Sequence, residues 1–559
     1  MLSISFLFSL NEIINMKNNQ KNDNKKENLF WADQLAEQII ERAKKEGVIA
    51  NIKCQQTPSG GKHIGNLNDV ARAYFPYKSI LEKGEKATFV HTTDDRDPLK
   101  DIPKKLPDLE GEWHNTSELK DITPFLGMPL CRIPDPFGCC NSWSEHFTKV
   151  WMDGVTALGM NPKLYSVNDL YLQGKFEPYI KMVFEKRKEV GAIIAKFQKT
   201  KSKNYIPFDA ICSRCGRLAN VDDFNMEEKT VHFICGGKAI KKKKSEGCGE
   251  EAWVPWSEGK LQWRFEWPAL WGIFHTTFEP FGKDHAEGSW PSGQEIARKI
   301  YNIEPPIPFV YEFFLANGEK MSASVGNVYI VQDMLKIMEP EIFLYFYTKR
   351  PGRQRNLDLK NIYFLVDDFE HAERVYFGIE EENEKEKKSL SRMYEAAMQK
   401  IPEKPPIRIP YQFAAVVAQL GKADNAIELL KRTGHIKEDI TEEDIESIKM
   451  RLWLAKNWVE TFAPENKIEV NDKVPEEIKE KTKPFHGALF ELADHLDKKM
   501  TEEQLYALFF EICEKRGIKT KDFFRAAYQI LISKDSGPRL APFILALGKE
   551  RVRKIFQQL

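Results

Sequence analysis

The chain has 559 residues, too many for one ordinary hydrophobic core, so about two to four domains are expected. Apolar residues make up 42% and charged residues 30%, an ordinary globular mixture. Basic and acidic side chains number 83 each, so the net charge is zero and nucleic acid cannot be held by bulk basicity, only by local patches.

The amino terminus carries an apolar run, Leu2 to Leu10, with no Lys or Arg before it and Asn11-Glu12 after it. That is not the layout of a secretory signal. Residues 1–30 read as a tail, disordered over Asn18 to Glu27, with Met16 a candidate start. Helical spacing of Leu35, Ile39, Ile40 and Ala43 predicts a helix over 31–47, followed by a strand from Val48 to Cys54. Thr57-Pro58-Ser59-Gly60-Gly61 must be a loop, and a helix over 63–83 and a strand over 87–93 follow. A β-loop-α-β unit of this kind builds a parallel sheet.

Further helices are predicted over 142–158 and 178–199. A cysteine cluster then opens at Cys212. Strands return at 277–281 and 309–315, with a helix through 294–301 between them. After about Gly352 strand signals vanish and helices follow over 360–376, 384–400, 410–420, 442–461, 484–499, 502–515, 521–532 and 541–557. The expected fold is α/β, a Rossmann-like parallel-sheet domain with an inserted zinc-ribbon module and an all-α carboxy-terminal domain. The boundaries fall at 31–204 and 261–351 for the two halves of the sheet domain, 205–260 for the insert and 352–559 for the helical domain. No stretch reaches the ~18 apolar residues of a membrane helix.

Nine cysteines form an odd set in a long chain, which fits a reducing cytosol better than a disulfide framework. Four of them, Cys212, Cys215, Cys235 and Cys248, have the makings of a tetrahedral structural zinc site. Buried or free thiols are the alternative, and His232 is a spare ligand. The run Lys241 to Lys244 inside the cluster is a solvated loop or a phosphate contact.

Three segments carry chemistry. Thr57-Pro58-Ser59-Gly60-Gly61-Lys62-His63-Ile64-Gly65-Asn66 lies between a strand and a helix amino terminus, where free backbone N–H groups suit a phosphate. It is not a P-loop, because His63 follows Lys62 where Ser or Thr is needed. A glycine turn with a surface histidine would read the same. Phe281-Gly282-Lys283-Asp284-His285 follows a strand, at the edge where parallel sheets bind ligands, and its Asp could hold a ribose or cap a helix. Lys320-Met321-Ser322-Ala323-Ser324 could grip a pyrophosphate leaving group or be a solvated turn.

In this order the three resemble the class I aminoacyl-tRNA synthetases, with their His-Ile-Gly-His and Lys-Met-Ser-Lys-Ser type motifs. Asn66, Asp94-Asp95-Arg96-Asp97-Pro98-Leu99-Lys100, Pro134-Asp135-Pro136-Phe137-Gly138-Cys139, Glu145-His146-Phe147, Trp267-Pro268-Ala269-Leu270-Trp271 and Phe278 to His285 resemble the class I lysyl branch. The resemblance runs from about residue 31 to 350.

It implies activation of lysine by ATP with Mg2+, then transfer to the terminal adenosine of tRNA(Lys) through the 2′-hydroxyl. It also implies a cytoplasmic enzyme, expected as a monomer. Catalysis is assigned to His63, Asn66, Lys320, Ser322 and Ser324. ATP contacts fall on Thr57, Pro58, Ser59, Gly65, Gly282, Asp284 and Lys320. The substrate ammonium needs a carboxylate with an aromatic wall, for which Asp94, Asp95, Trp267, Trp271 and His285 are candidates. The helical domain is assigned to the anticodon. Glutamyl and cysteinyl synthetases, and an RNA-binding paralog with weak or no catalysis, are the alternatives. The chain departs from the lysyl pattern at Ala323, at Val325, which replaces a lysine, and at Gln55, which stands where that branch usually has glycine.

Overall fold

In a computed structural model of the chain, Ala50–Gln56 forms a central strand, β1, with five of its seven residues buried, as a strand covered on both faces requires. The structure describes residues 30–198, 205–237, 239–240, 243–244, 246–321, 327–349, 351–420, 423–496 and 500–559. The expected tail, much of the lysine run, Ser322, Ala323, Ser324 and Val325 lie outside the described residues.

Helix α1 (Trp31–Glu46) precedes β1 and ends on Gly47, whose φ of 68° is the left-handed turn that glycine takes without strain. After β1 come α2 (Leu67–Glu82) and β2 (Ala87–Thr93), which pairs in parallel with β1 from Ala50↔Ala87 to Gln56↔Thr93. Helix α3 (Trp143–Ala157) starts on Ser142, whose side chain accepts the Glu145 N–H. It leads to the short edge strand β3 (Lys163–Ser166).

Five strands then form the insert: β4 (Phe208–Ile211), β5 (Leu218–Asn225), β6 (Thr230–Ile234), β7 (Glu251–Pro255) and β8 (Gly259–Leu261). They make an antiparallel sheet in the order β7-β6-β5-β4-β8. Its apolar face shares one core with the helices over 167–197 and with Phe265, Ala269 and Leu270. Helix α4 (Trp263–Phe274), β9 (Phe278–Gly282) and β10 (Ile307–Tyr311) complete the main sheet, all parallel, in the order β10-β9-β1-β2-β3. The carboxyl ends of β1, β2 and β9 therefore open on one edge, where such sheets take ligands.

The chain divides into two compact units. The first holds both sheets and spans residues up to 333, with 344–357 and 383–399. The helix Glu384–Ala397 belongs to it, and Arg392 there pairs with Asp33 at 2.7 Å. The second unit, 334–343, 358–382 and 400–559, is helical. Within it, Glu502–Arg516 and Thr520–Ile532 share a core with Leu489, Leu492, Phe543 and Ile555. Thr441 and Thr501 each start a helix with a reciprocal capping box. Among the described residues no helix is long and apolar enough to cross a membrane.

Arg451 is a buried charge of the helical unit. Its guanidinium lies 2.8 Å from Glu339, bonds Glu370, and donates through Nε to the Ile409 carbonyl at 2.6 Å. Removing one member of such a set strands the others. Arg451→Met is expected to cost about 3–5 kcal/mol, read as a lower urea midpoint for the helical signal.

Candidate active site and metal centres

A cavity of about 800 Å³ lies at the carboxyl ends of β1, β2 and β9. Its first wall is the loop from β1 to α2. Trp143 donates through its indole to the Pro58 carbonyl at 2.9 Å, and Ile64 N–H bonds the Tyr329 carbonyl at 2.8 Å, so the loop is held at both ends. Glycines are required here by close approach. A Cβ on Gly61 would lie 2.8 Å from Pro107, and one on Gly65 would lie 2.7 Å from Nδ1 of His63.

The loop side chains are tuned by burial. His63 is pushed down to about 4, first by desolvation and then by the Lys62 ammonium. Its imidazole is neutral at pH 7, and its Nδ1 is buried without a partner. Desolvation also draws Lys62 down to about 8. Lys320 reaches the cavity from the other side, with its ammonium 4.4 Å from the centre of the Phe313 ring. Neutral His63, Lys62 and Lys320 thus offer donors around a space that would suit a polyphosphate.

The carboxylates sort into two kinds. Asp94 caps β2 with Oδ2 accepting from the Thr57 hydroxyl at 3.3 Å, while its Oδ1 is buried and has no partner. Burial raises it to about 8, helped by Asp97 and Glu266 and opposed by Lys260 and Lys53. Asp69, raised to about 7 by burial, accepts from the Tyr311 hydroxyl at 2.6 Å. Asp95 instead turns away, accepting from Ser166 and from the Asn168 N–H at 2.8 Å.

Aromatic residues of α4 form the far wall. Trp263 and Trp267 stack at 5.2 Å, with the His285 ring 5.6 Å from Trp267. Trp267 and Trp271 both donate to Glu279, at 3.1 and 2.6 Å. Of the residues expected at a site, the structure brings Thr57, His63, Gly65, Asn66, Asp94, Trp267, Gly282, Asp284, His285 and Lys320 to the cavity. Pro58, Ser59, Asp95 and Trp271 are not among the residues that line it. Sequence reasoning missed Asp209, Leu218, Asn220 and Lys260, by which the insert closes the cavity. No local signal marked them, because they reach the cavity only through the antiparallel pairing of β4, β5 and β8.

At one end of the inserted sheet the four cysteine sulfurs gather, Cys212 to Cys248 at 3.5 Å and Cys215 to Cys235 at 3.6 Å. All four lie within 4.8 Å of one another. Sulfurs held ~2.3 Å from a tetrahedral zinc stand about 3.8 Å apart, so the set fits that ion. His232 is engaged elsewhere, by Asp222 at 2.7 Å.

A second set was not anticipated: Asp135, Cys139, Cys140 and His146 also lie within 4.8 Å of one another. Nε2 of His146 faces the Pro107 carbonyl at 3.0 Å and therefore carries the proton, which leaves the Nδ1 lone pair toward Cys139 at 3.3 Å. The signal in sequence was an Asp, two Cys and a His within twelve residues, spaced irregularly because a turn through Gly138 (φ 75°) folds them together.

Residues 29–400 match the family described as tRNA synthetases class I (K), and residues 415–557 match an anticodon binding domain. The chain is 35% identical to the lysine–tRNA ligase of Natronomonas pharaonis over 94% of this chain and 97% of that one. Identity to the lysine–tRNA ligase of Pyrococcus horikoshii is 34%, covering 94% and 99%, and to that of Methanocaldococcus jannaschii 33%, covering 94% and 98%. A parallel sheet whose strand ends carry the His63 and Asp284 loops, matched along nearly its whole length by such relatives, belongs to the class I tRNA synthetases.

Proposed function

We propose that the chain is a lysine–tRNA ligase that activates lysine with ATP, taken as its Mg2+ complex, and transfers it to tRNA(Lys). What carries the assignment is the buried, unpartnered Asp94 oxygen in a cavity otherwise lined by phosphate-seeking donors. The lysine carboxylate attacks the α-phosphate of ATP. An oxygen–phosphorus bond forms, the bond to the β-phosphate breaks, and pyrophosphate leaves. The 2′-hydroxyl of the terminal adenosine then attacks the lysyl carbonyl and AMP leaves.

His63, Lys62, Asn66 and Lys320 stabilise the charge on the departing phosphates, with Ser322 and Ser324 assigned to the same task. Asp284 and Gly282 hold the ribose. Asp94 pairs with a substrate ammonium against the Trp267 and His285 wall. Catalysis is positioning and electrostatics, with no covalent intermediate on the protein. Structural zinc on Cys212, Cys215, Cys235 and Cys248 would hold the inserted sheet, and Asp135, Cys139, Cys140 and His146 would take a second ion. The helical unit would read the anticodon. No disulfide joins any of the nine cysteines, which leaves the six thiols of these two sets open to metal.

The test is amino-acid-dependent exchange of pyrophosphate into ATP, with all twenty amino acids, with and without tRNA. Lysine alone should support it. Exchange with another amino acid would overturn the lysine assignment, and none from folded protein would favour a non-catalytic paralog. The pH dependence follows from Asp94. Its folded value of about 8 stands above the usual 3.8, so below pH 8 the free enzyme holds a proton there. Binding an ammonium ionises Asp94 and expels that proton. The KM for lysine is therefore expected to fall as pH rises from 6 to 8, by at most about ten-fold per unit, and to level off above. In Asp94→Asn that slope should vanish.

A further inference from the structure

Among the cavity's polar walls, β1 contributes one feature that the reaction above does not use. Lys53 is fully buried, with its ammonium 2.7 Å from Oε1 of Glu279 and 2.6 Å from Oε1 of Gln55. Glu279 also accepts both indole N–H groups, from Trp267 and Trp271. Three donors therefore share the two oxygens of Glu279. Although Glu279 borders the cavity, its charge is already matched by Lys53, and a substrate ammonium would find no surplus negative charge there.

The consequence falls on Gln55. An ammonium can only donate, so the carboxamide oxygen of Gln55 must face Lys53. The opposite end of the carboxamide is an NH2 group, and Gln55 lines the cavity. Among the described residues that NH2 group makes no hydrogen bond to protein. One residue along, the Gln56 carbonyl accepts the Asp94 N–H at 2.9 Å, and Asp94 and Gln55 both line the cavity. A donor left open to the cavity suits the carboxylate of an amino acid whose side-chain ammonium pairs with Asp94.

We infer that Gln55 is a substrate-binding residue that donates through Nε2 to the carboxylate oxygen of the amino acid, and that Lys53 is a positioning residue that fixes the carboxamide in that orientation. The inference rests on the proposed function, since it names how that site holds its substrate. The donated bond persists in the adenylate, whose acyl oxygen is the same atom. Neutralising the buried pair at both ends, by Lys53→Met with Glu279→Gln, avoids leaving one charge stranded. It leaves Gln55 present but free to flip.

The test is pyrophosphate exchange by the full chain, with KM for the amino acid, KM for ATP and kcat read separately. Gln55→Ala is expected to raise the amino acid KM by about ten-fold or more, the size of a hydrogen bond to a charged group, and to move the ATP KM by less than about two-fold. The double variant should show the same split. Adding Gln55→Ala to it should cost less than about three-fold more, because the two act through one bond. An unchanged amino acid KM in Gln55→Ala, or independent multiplication of the two effects, would overturn the inference.

Should the double variant fail to fold, Gln55→Glu decides. Its carboxylate keeps the Lys53 contact and turns an acceptor into the cavity, so it must bind the amino acid worse than Gln55→Ala does; equal or better binding overturns the inference. If the parent exchanges with an amino acid other than lysine, the lysine assignment fails and the same variants are read with that amino acid. If the parent neither binds nor activates any amino acid, both fall.

Discussion

Replacing His63 with alanine is expected to lower kcat for pyrophosphate exchange by about 10²–10³-fold and to change the KM for ATP little. The neutral ring follows from burial and from Lys62, which together hold the group near 4. A neutral imidazole offers one N–H to a phosphate oxygen, and it gains most where charge grows during bond cleavage. Steady-state exchange separates this from simple ground-state binding: a rise in KM alone, with kcat intact, would place His63 on bound ATP rather than on its transition state. Gly65 constrains the same ring from below, since any side chain there would collide with it.

Stripping metal from the inserted sheet is expected to be as damaging. Cys212→Ser, or exhaustive chelation, should release zinc, reduce the β signal in circular dichroism and lower exchange by about a hundred-fold or more. The reason lies in the cavity wall. Asp209, Leu218, Asn220 and Lys260 come from strands whose ends the four thiols would tie together. Elemental analysis should find two ions per chain, falling to one in His146→Ala. Full activity in metal-free protein with its sheet intact would show that packing against the neighbouring helices holds the insert unaided.

The main sheet was legible because its inner strands are strongly apolar or stand beside glycine loops. The predicted strand over 87–93 coincides with β2, and the predicted helix over 31–47 with α1. Strand β3 left no trace in the sequence, since Lys163-Leu164-Tyr165-Ser166 is a four-residue edge with no buried member. The single helix expected over 178–199 is two, Glu177–Glu185 and Arg187–Phe197, broken at Lys186 without a glycine or proline to announce it. The strand expected over 309–315 is likewise two pieces, Ile307–Tyr311 and Phe314–Ala316, the second of which pairs with the short strand Arg355–Leu357 in a region read as purely helical. In the helical unit, Ala423–Arg432 and Glu476–Thr482 escaped notice, the second too short and too charged to show a stripe.

At the site, motif order found the loops but could not choose between neighbours. Asp94 and Asp95 are adjacent letters, yet a strand end sends one side chain to the cavity and the other to cap the segment after Ser166. Likewise Lys53 and Glu279 are distant in sequence and meet only because β1 and β9 are neighbours.

That neighbourhood has a consequence for the order in which the protein can assemble on the ribosome. Lys53 and Glu279 are 226 residues apart in the chain. At roughly 5–20 residues added per second, β1 waits about 10–45 seconds for β9 to emerge. Until then β1 and β2 can pair, but β1 keeps an open edge, and the Lys53 ammonium has no carboxylate to face. A nascent chain halted between the two strands should therefore be bound by chaperones and cut readily by protease, and one extended past Tyr311 should not.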